Sequence, residues 1–303
     1  MRVKVTSPSF SKNQLLVKKL KEKFCNVEVN SLGVRFSKND LIDFLQDADA
    51  VIVGLEKMDK EVIDRTNLKA VSKYGVGIDN IDTEYLKQKG IKFCFKAGIN
   101  SKYVAEFTLG LIISSLRNIV TSSYSLKQGR FIKNGGDSLF GKNIGIIGVG
   151  HVGKDLVKLL KPFNVKIFVN DIVDQSDFYR QNYLIEVDKE YIFKNCDIIT
   201  IHTPLTKKTK NLINKRTLEI VKDGAIIINT ARGGVINFID LKEILKRKNI
   251  IVVSDVFEPE PPNDMELLSL DNFIPTPHIA GNSKESILAM GNAAIASLME
   301  CLE

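Results

Sequence analysis

Arg232, His278 and one of two glutamates, Glu258 or Glu260, are the residues in this sequence whose types suit acid–base chemistry. Removing hydride from an alcohol carbon requires a base for the hydroxyl proton and a cation for the substrate's carboxylate. Of the three histidines, His151 lies in a glycine-rich loop and His202 ends an apolar run, so His278 is the best candidate base. Arg232 precedes two glycines, a setting that suits a guanidinium fork for a carboxylate.

A carboxylate paired with His278 would favour the imidazolium and raise the pKa of the ring. Two glutamates, Glu258 and Glu260, follow the same apolar run. Their spacing alone makes them equal candidates for this partner.

The loop Gly148-Val149-Gly150-His151-Val152-Gly153 matches the dinucleotide-binding pattern G-x-G-x-x-G. It follows the apolar run Asn143–Ile147 and precedes an amphipathic stretch, as that pattern requires. Glycines permit a tight turn and a close approach of pyrophosphate to the main chain at a helix N-terminus. Asp171 ends the next apolar run, where a carboxylate binds the ribose hydroxyls and disfavours a 2′-phosphate. The cofactor is therefore predicted to be NAD.

The elements that must position these residues alternate as short β-branched runs and helical stretches, which predicts parallel sheets. The predicted strands are Val3–Thr6, Val27–Val29, Ala50–Val53, Ala70–Ser72, Lys92–Phe95, Ile144–Ile147, Lys166–Asn170, Ile198–His202, Ala225–Asn229, Ile251–Asp255 and Phe273–Pro275. The predicted helices are Ser11–Phe24, Lys38–Leu45, Lys60–Arg65, Thr83–Lys89, Val152–Lys161, Asp188–Asn195, Lys215–Val221, Phe238–Lys248 and Lys284–Cys301. A long helical segment from Ser101, its expected N-cap, to Arg130 is predicted to join two doubly wound units.

The composition is that of a globular protein, with 303 residues, 44% hydrophobic and 26% charged. No apolar run is long enough for a membrane span and the N-terminus reads as a strand, so we expect a cytoplasmic protein. The net charge of +7 is scattered, which argues against a nucleic-acid partner. The four cysteines lack metal-site spacing, and we expect them to be buried, reduced thiols with no bound metal.

The whole chain resembles the D-isomer-specific 2-hydroxyacid dehydrogenases, and within them the phosphoglycerate dehydrogenase-like branch. The resemblance rests on the glycine loop and on six further segments. These are Tyr74–Asp82, Asn100–Glu106, His202–Thr206, Asn229–Gly234, Asp255–Pro261 and Thr276–His278.

The resemblance implies an α/β protein of two doubly wound parallel-sheet domains. A Rossmann NAD-binding domain would span residues 98–284, and a smaller, discontinuous, flavodoxin-like substrate domain residues 1–97 and 285–303. It also implies a homodimer built on the nucleotide domain. The activity would be hydride transfer between NAD(H) and a small D-2-hydroxy or 2-keto acid, with 3-phosphoglycerate and 3-phosphohydroxypyruvate left open.

The resemblance also implies residue roles. Arg232 would hold the substrate carboxylate, His278 would be the acid/base, and Glu260 rather than Glu258 would be its partner. The implied substrate-binding residues are Lys57, the backbone of Val76 and Gly77, Asn100 facing the cleft, Arg232 and His278. The implied cofactor-binding residues are Gly148, Gly150, His151, Val152, Gly153, Asp171, His202, Thr203, Pro204, Thr209, Thr230, Ala231, Arg232, Asp255 at the nicotinamide amide, His278 and Gly281.

Two features depart from the family pattern. Many relatives carry Arg where His151 stands, which predicts a weaker hold on pyrophosphate. Phosphoglycerate enzymes often carry Arg-Ser-Arg after the third strand, whereas this chain has Gly54–Met58, in which Glu56 would repel a phosphate.

The alternative to an enzyme is an NAD(H)-sensing, corepressor-like binding protein without significant turnover, because one fold hosts several functions.

Overall fold

The β-branched runs form two all-parallel sheets in the computed structural model, which describes residues 1–303. The strands are β1 Arg2–Val5, β2 Asn26–Val29, β3 Ala50–Val53, β4 Ala70–Lys73, β5 Lys92–Cys94, β6 Asn143–Ile147, β7 Lys166–Asn170, β8 Ile185–Glu186, β9 Ile198–Ile201, β10 Ile226–Asn229, β11 Ile251–Ser254 and β12 Phe273–Pro275. The helices are α1 Pro8–Ser11, α2 Gln14–Lys23, α3 Lys38–Leu45, α4 Lys60–Asp64, α5 Thr83–Gln88, α6 Ser101–Leu116, α7 Ile119–Lys127, α8 His151–Leu160, α9 Ser176–Gln181, α10 Lys189–Asn195, α11 Lys215–Ile220, α12 Phe238–Leu245, α13 Met265–Leu268 and α14 Lys284–Leu302.

The first compact unit comprises Met1–Asn100 and Asn282–Glu303. Its five strands are ordered β2-β1-β3-β4-β5, so the chain reverses its direction of travel across the sheet between β1 and β3. Both faces of this sheet are covered, because all residues of β3 are buried and successive side chains of a strand point to opposite faces. On one face α14 packs against β4, where the Ser72 hydroxyl donates to the Ala294 carbonyl at 2.8 Å.

The second unit, Ser101–Gly281, contains seven parallel strands in the order β12-β11-β10-β9-β6-β7-β8. Its reversal lies between β6 and β9. In open α/β sheets, ligands bind outside the carboxyl ends of the strands at such a switch point. The glycine loop follows β6 and His202 follows β9, so the fold places both at this position. The predicted fold class, two doubly wound parallel-sheet units with a flavodoxin-like order in the smaller one, is confirmed.

Two predicted helices are interrupted in the structure. The stretch predicted as Ser11–Phe24 forms α1 and α2, because Asn13 turns out of the helix and caps α2 by accepting the Leu16 N–H at 3.2 Å. The segment predicted from Ser101 to Arg130 breaks at Asn118, whose φ of 51° is left-handed, a conformation that asparagine tolerates. Ser101 is no N-cap, since it is the first helical residue and its hydroxyl donates to Asp155 Oδ2 at 2.6 Å.

No single helix is both long and apolar enough to cross a bilayer. Helices α6 and α7 reach the required length and apolar composition only when taken together, and the chain bends by 60° between them.

The expectation for the cysteines is wrong for three of the four residues. Cys94, at the end of β5, forms a disulfide with Cys301 in the last turn of α14. Cys25 is exposed, and only Cys196 is a buried free thiol. The pair is separated by 207 residues in sequence, so only the packing of α14 beside β5 brings it together.

Candidate active and cofactor site

The glycine loop adopts the geometry that a dinucleotide needs. Gly148 has a φ of 95°, and a Cβ there would lie 2.7 Å from the His202 carbonyl oxygen. A Cβ on Gly153 would lie 2.4 Å from the Gly148 carbonyl oxygen, so this glycine lets α8 pack directly on the loop. Gly150 faces open space and caps α8 without any side-chain hydrogen bond. The first N–H groups of α8 are therefore available to an anion.

Asp171 lies directly beside this loop at the end of β7. Its Oδ2 accepts the Val149 N–H at 2.6 Å and its Oδ1 accepts the Val173 N–H at 2.9 Å. Each carboxylate oxygen has a second lone pair, so both remain able to accept from ribose hydroxyls. The position agrees with selection of NAD by this carboxylate.

The segment after β9 faces the same loop and contains two buried polar atoms without a partner, His202 Nε2 and Thr203 Oγ1. Buried polar atoms are rarely left unpaired in native proteins, so orphaned ones indicate a missing ligand or water. Together with the open space at Gly150, they show that the residues present fit a dinucleotide. Burial lowers the pKa of His202 to about 4, so this ring is neutral at physiological pH.

The other residues predicted to bind the cofactor are held in braced loops of the second unit. Thr209 donates to the Pro204 carbonyl at 2.6 Å, and the hydroxyls of Thr230 and Thr108 lie 3.1 Å apart. His151 is the first residue of α8 and is exposed. Direct contacts of these residues with the cofactor, and those of Val152, Ala231 and Gly281, stay predictions.

The turn that carries Arg232 is fixed by the buried residue Asn229 at the end of β10. Asn229 Oδ1 accepts the Ala231 N–H at 3.0 Å, and its Nδ2 donates to the Arg232 carbonyl at 2.9 Å. A Cβ on Gly233 would lie 2.1 Å from the Phe257 carbonyl, so only glycine allows this turn to pack on the loop after β11. This contact places Arg232 next to the Glu260 loop.

The turn that carries His278 is held by Asp255, whose side chain is completely buried at the end of β11. Asp255 Oδ1 accepts the Thr276 hydroxyl at 2.6 Å and the Ile279 N–H at 2.9 Å, and Oδ2 accepts the Ala280 N–H at 2.9 Å. His278 has a φ of 54°, a backbone conformation that a non-glycine residue keeps only when its surroundings impose it. The implied contact of Asp255 with nicotinamide stays a prediction, and the structure gives this carboxylate a bracing role that the sequence did not reveal.

His278 and Glu260 form a hydrogen-bonded pair, with 2.9 Å between Nδ1 and Glu260 Oε2. Glu260 Oε1 accepts the Phe257 N–H at 2.9 Å, which fixes the orientation of the carboxylate. The structure therefore pairs Glu260, not Glu258, with the histidine. Arg232 is close enough to act electrostatically on both partners.

The pair shifts both pKa values in the directions that favour an ion pair. The hydrogen bond to Glu260 raises the pKa of His278 above its usual 6.5, against the opposing effect of burial. Burial acts to raise the pKa of Glu260, but the hydrogen bonds from His278 and from the Phe257 N–H outweigh it and hold that pKa low. Both shifts favour the imidazolium–carboxylate form of the pair.

In the first unit, the predicted substrate-binding residues lie on two neighbouring loops and at the end of the segment after β5. Lys57 is exposed in the loop after β3, and Val76 and Gly77 form the turn after β4. Asn100 is buried, and its Nδ2 contacts Met290 Sδ at 3.7 Å while its Oδ1 has no hydrogen-bond partner.

Comparison with known proteins agrees with this geometry. Residues 109–280 match the model of the D-isomer specific 2-hydroxyacid dehydrogenase, NAD binding domain. The chain is 36% identical to a hydroxypyruvate reductase of Thermotoga maritima over 87% of this chain and 88% of that protein. It is 36% identical to a D-3-phosphoglycerate dehydrogenase of Methanocaldococcus jannaschii over 94% of this chain but 55% of that protein. A crystal structure from Thermus thermophilus matches with a TM-score of 0.90 at 28% identity, covering 100% of this chain and 97% of that one.

Asp255→Asn is expected to destabilise the protein. The amide nitrogen would replace a carboxylate oxygen that now accepts a backbone N–H, so two hydrogen-bond donors would face each other. The expected loss is about 1–3 kcal/mol, the cost of leaving buried polar groups unsatisfied. Urea unfolding measures it, with the exposed Asp271→Asn as the matched control, expected within about 0.5 kcal/mol of wild type. Equal stability of the two variants would contradict the bracing role.

Glu260→Gln is expected to lower the pKa of His278, because glutamine keeps the size of the side chain but removes the charge that stabilises the imidazolium. NMR titration of the histidine ring signals measures this pKa, and His278→Asn identifies the signal. Glu258→Gln is the control and should leave the titration unchanged. If both variants shifted the pKa of His278 equally, the pairing with Glu260 would be wrong.

Proposed function

This chain belongs to the family of NAD-dependent D-isomer-specific 2-hydroxyacid dehydrogenases, which act on CH–OH groups, and from that premise we propose that Arg232, Glu260 and His278 interconvert a small 2-keto acid and its D-2-hydroxy acid. The observation that carries the proposal is the His278–Glu260 pair beside the Arg232 turn. Hydroxypyruvate and glyoxylate are suitable first substrates, because relatives are named for reducing them.

Each residue of the set has a separate task in reduction. Arg232 binds the substrate carboxylate and polarises the adjacent carbonyl through its guanidinium. His278 donates a proton from Nε2 to the carbonyl oxygen, while Nδ1–H stays hydrogen-bonded to Glu260. Glu260 orients the ring and raises its pKa, which favours the protonated form that reduction needs. In oxidation His278 accepts the hydroxyl proton, which requires the neutral ring and favours higher pH.

Bound NADH supplies the hydride that reduces the carbonyl carbon. The residues that would hold the cofactor are the glycine loop, Asp171 and the segment His202–Pro204. In the first unit, we assign Lys57, Asn100 and the backbone N–H groups of Val76 and Gly77 to the substrate. The cytoplasmic location stays a prediction.

Replacing the catalytic residues should lower turnover strongly without removing cofactor binding. Arg232→Ala is expected to lose roughly a hundred- to a thousand-fold in kcat/KM for hydroxypyruvate. His278→Asn is expected to lose roughly a hundred- to ten-thousand-fold. NADH oxidation measures both effects, and fluorescence titration checks that the Kd for NADH changes less than about threefold.

Arg216→Ala is the matched control, because this arginine is exposed on α11. Wild-type rates in both site variants would refute the assignment. A wild-type protein that binds NADH but reduces no acid in a broad 2-keto acid panel would be an NAD(H) sensor rather than an enzyme.

We further propose that the protein is a homodimer and that residues 119–140 lie in the interface. Helix α7 buries none of its residues, and the segment after it continues the exposed apolar surface. The exposed fractions are 61% for Tyr124, 58% for Leu126, 83% for Phe131 and 64% for Phe140. An exposed apolar patch of this kind is typical of a protein–protein interface.

The double variant Leu126→Glu/Phe131→Glu is expected to be monomeric, because it places two charges in the apolar interface. Sedimentation velocity should give twice the chain mass of 33.9 kDa for wild type and the single mass for the variant. Ile239→Glu, at a 73% exposed position on α12, is the control and should remain dimeric. A monomeric wild type, or a dimeric double variant, would exclude this interface.

A further inference from the structure

The first unit has its own topological switch point, between β1 and β3. An open α/β sheet binds ligands at such a point, where donors at the carboxyl ends of the strands face outward. In this protein, the donors at the ends of these two strands are the Thr6 hydroxyl and the Gly54 N–H. A side chain of the protein itself, Glu56, already accepts both.

Glu56 Oε2 accepts the Thr6 hydroxyl at 2.6 Å and the Gly54 N–H at 2.9 Å. Thr6 is completely buried, so its hydroxyl is fixed in place. A carboxylate thus occupies the donors that an anionic ligand would use at this edge, and its charge opposes the approach of a second anion.

The loop that carries Glu56 is tied to the turn after β4. Asn80 Nδ2 donates to the carbonyl oxygens of Gly54 at 3.1 Å and Glu56 at 2.6 Å. The buried ammonium of Lys73 donates to the Gly54 carbonyl at 2.5 Å and to Asn80 Oδ1 at 2.9 Å. These bonds hold Glu56 next to the turn that contains Val76 and Gly77, the backbone groups assigned above to the substrate.

Lys57, the exposed cation of the Glu56 loop, does not create a site for a second anion on this surface. Lys57 is exposed and lines an open groove together with the acidic residues Asp59, Glu61, Asp79 and Asp82 and with Lys60. Lys38 pairs with Asp59 at 2.8 Å and with Glu61 at 2.9 Å, and Arg65 lies 3.5 Å from Glu61. The four carboxylates and four cations therefore balance, and the groove has no excess of positive charge.

We propose that Glu56 is a specificity-determining residue that restricts the enzyme to 2-keto acids without a second negative charge. The inference rests on the proposed function and deepens it by naming the substrate class. A 2-keto acid with a hydroxyl-bearing or short side chain is accepted at this edge of the sheet. A phosphate or a second carboxylate there meets the negative charge of Glu56, which already accepts the hydrogen bonds of the Thr6 hydroxyl and the Gly54 N–H.

The test compares hydroxypyruvate with 3-phosphohydroxypyruvate, two acids that differ only by a phosphate. Wild type is expected to favour hydroxypyruvate by more than about tenfold in kcat/KM, equivalent to about 1.4 kcal/mol. Glu56→Gln keeps the acceptor for Thr6 and Gly54 but removes the charge, so it should reduce this preference at least about tenfold. Glu84→Gln, an exposed glutamate on α5, is the matched control and should behave as wild type.

A second variant and a second readout separate this proposal from the proposed function. Glu56→Ala removes the charge by another route and should move the preference in the same direction. Calorimetric binding of the two acids in the presence of NAD⁺ measures charge selection without turnover. An active Glu56→Gln enzyme with unchanged preference, or a wild type that prefers the phosphorylated acid, would overturn the role of Glu56. Absence of turnover with every keto acid would instead refute the proposed function, and the calorimetric comparison would still decide the role of Glu56.

Discussion

The buried carboxylate of Asp255 is the interaction on which the active-site geometry depends. It follows β11 directly and accepts three hydrogen bonds from the turn that follows β12, so one side chain connects two strand ends. This connection imposes the left-handed backbone of His278 and holds the ring within reach of Glu260. A buried charge is tolerated only when its hydrogen bonds are complete, and the turn supplies them.

Close backbone contacts at glycines do the rest of the positioning. Gly233 lets the Arg232 turn pack against Phe257, and Gly148 lets the glycine loop pack against His202. In both places a Cβ would overlap main-chain atoms, which side-chain rearrangement cannot relieve. The motif glycines are therefore explained by the distance between neighbouring strand ends rather than by loop flexibility. The same principle operates with polar groups in the first unit, where Asn80 and Lys73 tie two adjacent strand ends together.

The sequence predicted the features that depend on local pattern. Alternating β-branched runs and helical stretches gave the two parallel sheets, and the glycine loop with Asp171 gave the nucleotide edge. Features that depend on distant partners were missed. The disulfide between Cys94 and Cys301 arises from packing across the chain, and the break at Asn118 comes from a left-handed residue that the helical pattern does not reveal. Spacing alone left Glu258 and Glu260 equal and the resemblance favoured Glu260, for which the Phe257 N–H and the position of the His278 turn give the physical reason. Charge repulsion by Glu56 was foreseen, but its anchoring by Thr6 was not, because these residues meet only when β1 and β3 pair.

The central claim is that this chain reduces a 2-keto acid to the D isomer of the hydroxy acid. The most direct measurement uses NADH deuterated at the transferable position of the nicotinamide, with hydroxypyruvate or glyoxylate as the acid and mass and chiral analysis of the product. We expect the hydroxy acid to carry one deuterium on the carbon that bears the hydroxyl, and the glycerate formed from hydroxypyruvate to be the D isomer. An unlabelled product, a labelled L isomer, or no product from any acid of the panel would contradict the account.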